Sequence, residues 1–129
     1  MKFMMLVKHP ERLQGGKPIP PPKRLMDEMA KLTEEAVKSG RMVAGGGLAP
    51  TATSFRVRLS AGKVTVVDGP FTEAKEIVGG FAIFDFKSKE EAIESARRFM
   101  DLHRQYWPGW EGETEVRQIF GPEDFAPHK

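Results

Sequence analysis

Residues Lys2 to Lys8 constrain the fold more than any other stretch. Phe3, Met5 and Val7 alternate with Met4 and Leu6, so an extended segment here is apolar on both faces. Such a strand needs a covering layer on each side, which predicts a central place in a sheet. The run is too short for a signal-peptide core and is stopped by Lys8-His9-Pro10. No stretch approaches the roughly 18 apolar residues of a membrane helix, so no membrane partner is expected.

Beyond this strand the chain alternates between two periods. His9 to Pro22 is predicted as a loop, because Gly15-Gly16, Pro18 and Pro20-Pro21-Pro22 block regular structure. Lys23 to Ser39 predicts a helix: Leu25, Met29, Leu32 and Ala36 recur at helical spacing, prolines stop just before it and Gly40 follows. Arg41 to Ala44 predicts a short strand running into Gly45-Gly46-Gly47, a run better explained by close backbone packing than by a phosphate loop, since no helix follows it. Phe55–Leu59 and Lys63–Val67 predict a hairpin around Ser60-Ala61-Gly62, with Arg56 and Arg58 on a wet face. Ile77 to Phe86 predicts another strand.

Ser88-Lys89-Glu90-Glu91 forms a capping-box pattern opening a second helix to about Gln105. Its apolar face is traced by Ala92/Ile93, Ala96, Phe99/Met100 and His103. The aromatic loop Tyr106-Trp107-Pro108-Gly109-Trp110 ends it, and Glu113 to Phe120 predicts the last strand. Gly121 to Lys129, which includes His128, is expected to be a polar tail pinned by Phe125.

The resulting order, β-α-β-(hairpin)-β-α-β, predicts a ferredoxin-like α+β sandwich with both helices on one face of an antiparallel sheet. At 129 residues the chain is expected to be a single domain, 1–129. Apolar residues on both sides of several strands call for a second cover, most economically the sheet of a twin subunit, so a homodimer is expected. The net charge of +2 is small and its signs are mixed along the chain, so no nucleic-acid partner is expected. With no cysteine, disulfides, thiolate catalysis and cysteine metal sites are excluded, which fits a cytoplasmic protein.

Chemistry concentrates in Asp68-Gly69-Pro70-Phe71-Thr72-Glu73-Ala74-Lys75-Glu76, followed by Ile77-Val78-Gly79-Gly80-Phe81. Asp68 suits a general base or ligand contact, or an Asx-turn that fixes the Gly-Pro step. Lys75 would attract an anionic group, while Glu73 and Glu76 beside apolar Phe71 and Ile77 could serve as acid or base; otherwise the three form a solvated charge cluster. His103 continues an apolar helix face and suits proton transfer, or it is a C-terminal histidine favoured by the helix dipole. His9 lies at a strand end facing a cleft or solvent. Tyr106, Trp107 and Trp110 wall a pocket or pack against the protein or a partner. His9, His103, Asp68 and Glu73 have no recognisable ligand spacing, so no metal site is expected.

The element Asp68-Gly69-Pro70-Phe71, with Glu73-Ala74-Lys75-Glu76 after it, resembles the YCII-related proteins, and within them the branch called DGPF-domain proteins. Further matching pieces are the first strand, Gly40 to Gly45, Leu48-Ala49-Pro50, Gly79-Gly80-Phe81, Trp107-Pro108-Gly109-Trp110 and Glu115 to Ile119. The resemblance implies a ferredoxin-like subunit dimerising sheet to sheet, as in dimeric α+β barrels. Some short-form relatives are thought to use a His–Asp pair with the histidine near the start of the first helix. Pro22 to Gly40 holds no histidine here, so that pair does not carry over. An association of some members with sigma factors keeps a regulatory role open.

The leading expectation is a protein, enzyme or enzyme-like, handling a small anionic organic ligand without an organic cofactor. Asp68, Glu76 and His103 are its acid–base candidates, Lys75, Glu73 and His9 its polar contacts, and Phe71 and Phe81 its pocket walls. The alternative is a non-catalytic ligand-sensing or accessory dimer that biases a partner such as a sigma factor.

Overall fold

The strand with two apolar faces lies inside a sheet, flanked on both sides. The computed structural model describes residues 1–125. Its elements are β1 (Lys2–His9), β2 (Leu13–Gln14), β3 (Lys17–Pro18), α1 (Lys23–Lys38), β4 (Met42–Gly47), β5 (Phe55–Ser60), β6 (Lys63–Asp68), β7 (Ile77–Asp85), α2 (Lys89–Tyr106) and β8 (Glu113–Gln118). The main sheet runs β4-β7-β1-β8 and is antiparallel throughout. With the β5–β6 hairpin set aside as an insertion, this is the strand order of a ferredoxin-like α+β fold.

Register fixes which side chains meet the helices. Phe3 stands opposite Phe84 and Gln118, and Met5 opposite Ala82 and Val116. Phe3, Met5, Phe86 and Ala92 form the buried core, with Phe84, Ala96 and Val116 packed against it. This is the helix-facing side. Met4, Leu6, Phe81 and Ile83 point to the other face and are half-buried. There Lys8 reaches both Glu115 (3.3 Å) and Glu113 (3.5 Å).

Local signals explain the helix ends. The Glu91 N–H donates to Ser88 Oγ at 3.2 Å, as the capping-box pattern predicts. The returning Glu91 carboxylate accepts from the Lys87 N–H at 3.1 Å, one residue earlier than a reciprocal box would have it. Helix α2 extends through Tyr106, one residue past the expected end.

Several expectations need correction. The segment after His9 is not wholly irregular: β2 and β3 pair across Gly15-Gly16, whose positive φ angles make the tight turn. β4 does not stop at Ala44 but carries Gly45 to Gly47 within the strand. The hairpin arms each run one residue further, so Asp68 ends a strand, paired with Phe55, before the turn begins. β8 ends at Gln118, two residues early. Phe125 packs edge-on to Phe120 yet is 75% exposed, so it pins little. His128 lies outside the described residues.

Candidate functional site

A cavity of about 1010 Å³ lies between the helix-facing side of the sheet and the two helices. Small residues make room for it. Gly45 pairs with Ala82 and Gly47 with Gly80, so this edge of the sheet presents little bulk where larger side chains would fill the space. Met29, Leu32 and Ala36 of α1 and Phe99 of α2 supply apolar walls. The rim is built from Glu11 and Arg12, from Lys17 to Pro21, and from Leu48-Ala49-Pro50.

One end of the cavity is polar and aromatic. After α2, the Trp107 N–H donates to the His103 carbonyl (2.9 Å) and the Trp110 N–H to the Trp107 carbonyl (3.1 Å). This reversal lays the Trp110 ring against His103, with centroids 4.4 Å apart. His9 approaches the same indole at 6.0 Å, and the Arg12 guanidinium sits over it at 5.5 Å. The His9 ring occupies the space a side chain on position 79 would take: a Cβ on Gly79 would collide with Nε2.

Hydrogen bonding sets the tautomers of both histidines. His103 Nδ1 lies 2.9 Å from the Phe99 carbonyl, and His9 Nδ1 lies 2.7 Å from the Pro10 carbonyl. A carbonyl only accepts, so in each ring Nδ1 carries the donated proton and Nε2 of the neutral ring holds a lone pair. His103 is 6% exposed. Burial pushes its pKa below the ordinary histidine value; the Phe99 carbonyl opposes this and the neighbouring His9 adds to it. The ring is thus poised as a neutral proton acceptor.

The sequence-predicted residues divide between two places. His9 and His103 border the cavity; Phe81 meets it from its place in β7, with its ring on the opposite face of the sheet. Asp68, Phe71, Glu73, Lys75 and Glu76 do not line it. Asp68, Glu73, Lys75 and Glu76 are exposed, and the Asp68 carboxylate has no hydrogen-bond partner among the described residues. The turn is instead held by its surroundings. The Gly69 N–H donates to the Ser54 carbonyl at 2.8 Å, and a Cβ on Gly69 would overlap the Thr51 carbonyl oxygen. The Phe71 N–H donates to Thr51 Oγ1 at 3.3 Å, and the Phe71 ring is buried beneath the Arg56 guanidinium, 3.7 Å away. Arg56 also pairs with Glu73 at 2.6 Å. Glu73's own backbone N–H, then Arg56, hold its carboxyl below the usual range, so it stays ionised near neutral pH.

Two residues without a sequence signal tie this turn to the cavity rim. Glu11 accepts from the Thr51 backbone N–H (2.9 Å) and from the Thr51 hydroxyl (2.5 Å). Thr51 is buried and holds Phe71 in turn, so a chain of bonds runs from the Asp68–Glu76 segment to the loop that closes the cavity. Trp107 and Trp110 wall the cavity. Among the described residues, no group of three or more histidine, cysteine or acidic side chains could hold a metal ion, and no helix is long and apolar enough to cross a membrane.

The sequence model of the YCII-related domain family matches residues 1–100. An uncharacterised protein of Rhizobium meliloti (strain 1021) is 32% identical over 96 residues, covering 74% of this chain and 73% of that protein.

Proposed function

The chain belongs to the YCII-related family, and we propose that it binds a small anionic organic molecule with an apolar body in the cavity between helices and sheet, where His103 exchanges a proton with it. The observation that carries this reading is the buried His103 ring, held neutral with its Nε2 lone pair free beside Trp110. Neutral imidazole in an apolar pocket is suited to general-base work near neutral pH. Arg12 and Lys17 at the rim have no acidic partner among the described residues, which favours a ligand carrying negative charge. The Asp-Gly-Pro-Phe element supports placement in the DGPF branch. That element holds the rim through its backbone, the Phe71 N–H bonding Thr51 and Thr51 bonding Glu11.

Isothermal titration with a panel of aryl and alkyl carboxylates tests the reading. Binding is expected in the wild type and should weaken as pH falls through the titration of His103, because the neutral ring is the form that meets the ligand. His103→Phe is expected to flatten that pH dependence. A folded wild type that binds none of the panel would sink the proposal. Alanine at Asp68, Lys75 and Glu76 together separates the cavity from the loop: unchanged binding assigns the chemistry to the cavity, and lost binding returns it to the loop carboxylates and Lys75.

A non-catalytic, ligand-sensing homodimer is the second reading. It is favoured by the β5–β6 hairpin, whose Phe55, Val57, Leu59, Val64 and Val66 share one face and are each more than 60% exposed. A continuous apolar row of this kind marks a surface for a second copy or a partner.

A further inference from the structure

Thr114 faces the cavity from β8. Register sets it directly opposite Val7 on the helix-facing side, with Gly112 and the Trp110 ring at the adjoining end of the strand. Its Oγ1 is buried and has no hydrogen-bond partner among the described residues. A hydroxyl left in that state destabilises the empty protein, and a buried polar atom without a partner calls for a specific explanation. His103 lines the same cavity, and its Nε2 is also without a hydrogen-bond partner among the described residues. A free donor and a free acceptor thus stand on two different elements, with the Trp110 indole against the histidine.

The chemistry of these two groups selects what can satisfy both. A ligand carbonyl would accept from Thr114 but leave the histidine lone pair bare. An ammonium would satisfy both yet bring a second positive charge to the end of the cavity where Arg12 lies over Trp110. A carboxylate would face the lone pair of a ring whose burial opposes protonation. An alcohol oxygen both donates once and accepts.

We propose that Thr114 and His103 form a hydroxyl-recognition subsite, in which a ligand alcohol donates its O–H to His103 Nε2 and accepts from Thr114 Oγ1. This rests on the reading of the cavity as the ligand site. It narrows the ligand class to hydroxy acids with an apolar body, the carboxylate toward Arg12 and Lys17 at the rim.

The test compares para-(hydroxymethyl)benzoate with para-(methoxymethyl)benzoate, whose ether cannot donate. The alcohol is expected to bind the wild type about tenfold more tightly, the loss expected when one buried hydrogen bond goes unmade. Thr114→Val should weaken the alcohol and the ether alike, because both oxygens accept from Thr114, and Thr114→Ser should restore both; His103→Phe should erase the preference, because it removes the acceptor of the alcohol's O–H. In the absence of ligand, Thr114→Val is expected to raise the melting temperature, because it removes the orphan hydroxyl. Equal binding of alcohol and ether to the wild type would overturn the subsite while leaving the cavity reading in place. Binding of neither probe at millimolar concentration would overturn both. A lower melting temperature for Thr114→Val would show that the hydroxyl is already satisfied, and the subsite would fall.

Discussion

His103 is where one side chain's surroundings matter most. In the unfolded chain its imidazole titrates near 6.5, and in the folded protein burial lowers that value. Between the folded and unfolded values the unfolded chain binds more protons than the native one. Stability is therefore full above the unfolded value and is lost as pH falls through the window down to the folded one. Thermal melts taken from about pH 7 to about pH 5 should show a falling melting temperature, and His103→Phe should flatten that part of the profile. A wild-type profile identical to that of the variant would mean the ring protonates freely in the folded state. Thr114 shows what could have been read at this scale: it is the one inward position between Glu113 and Glu115 that is polar without being charged. Alternation along β8 could have marked it as inward, but only the packed neighbours reveal that its hydroxyl is unpaired among the described residues.

At the scale of elements, the Asp68–Glu76 turn, the turn at Thr51–Thr53 and the loop after β1 act as one clasp. Thr51 is its middle link, and removing the hydroxyl strands a Glu11 carboxylate oxygen and the Phe71 N–H. Thr51→Val is expected to cost about 1–3 kcal/mol in urea unfolding, with Thr51→Ser largely spared. The same variant should speed tryptic cleavage at Arg12 or Lys17, because the rim loop loses its anchor; unchanged cleavage would separate the clasp from the rim. Gly69→Ala is a harsher case. The new methyl overlaps the Thr51 carbonyl oxygen, so the backbone must shift, and a loss above about 3 kcal/mol is expected. The sequence marked this turn as special through its Asp-Gly-Pro chemistry. It did not show that Gly69 is held by a neighbour some eighteen positions earlier instead of by an Asx-turn, because nothing local encodes the approach of Thr51.

For the whole molecule, the sheet has one face covered by helices and one face of Met4, Leu6, Phe81 and Ile83 left half-buried. The exposed apolar row of the β5–β6 hairpin adds to that unpaired surface. A homodimer that covers it should sediment at twice the monomer mass, and Leu59→Lys with Val66→Lys should shift it to monomer without loss of helical signal. A wild type that sediments as a monomer at all concentrations would remove the dimer from the account. The hairpin was visible in the sequence from its alternation around Ser60-Ala61-Gly62. That its apolar side faces outward was not, because alternation distinguishes two faces of a ribbon and does not say what lies against either.

The sequence by itself determined the order of the main elements, the central place of β1, the capped start of α2, and His103 with the two tryptophans near its end. These follow from periodicity, capping and chain breakers, all of which act within a few residues. Tertiary structure decided the rest: that small residues along β4 and β7 open a cavity, that Trp110 folds back onto His103, and that the most charged loop stands outside the pocket and grips its rim through Thr51 and Glu11. Each of those depends on register and on contacts between residues distant in the chain, where the identity of a side chain does not specify its neighbour.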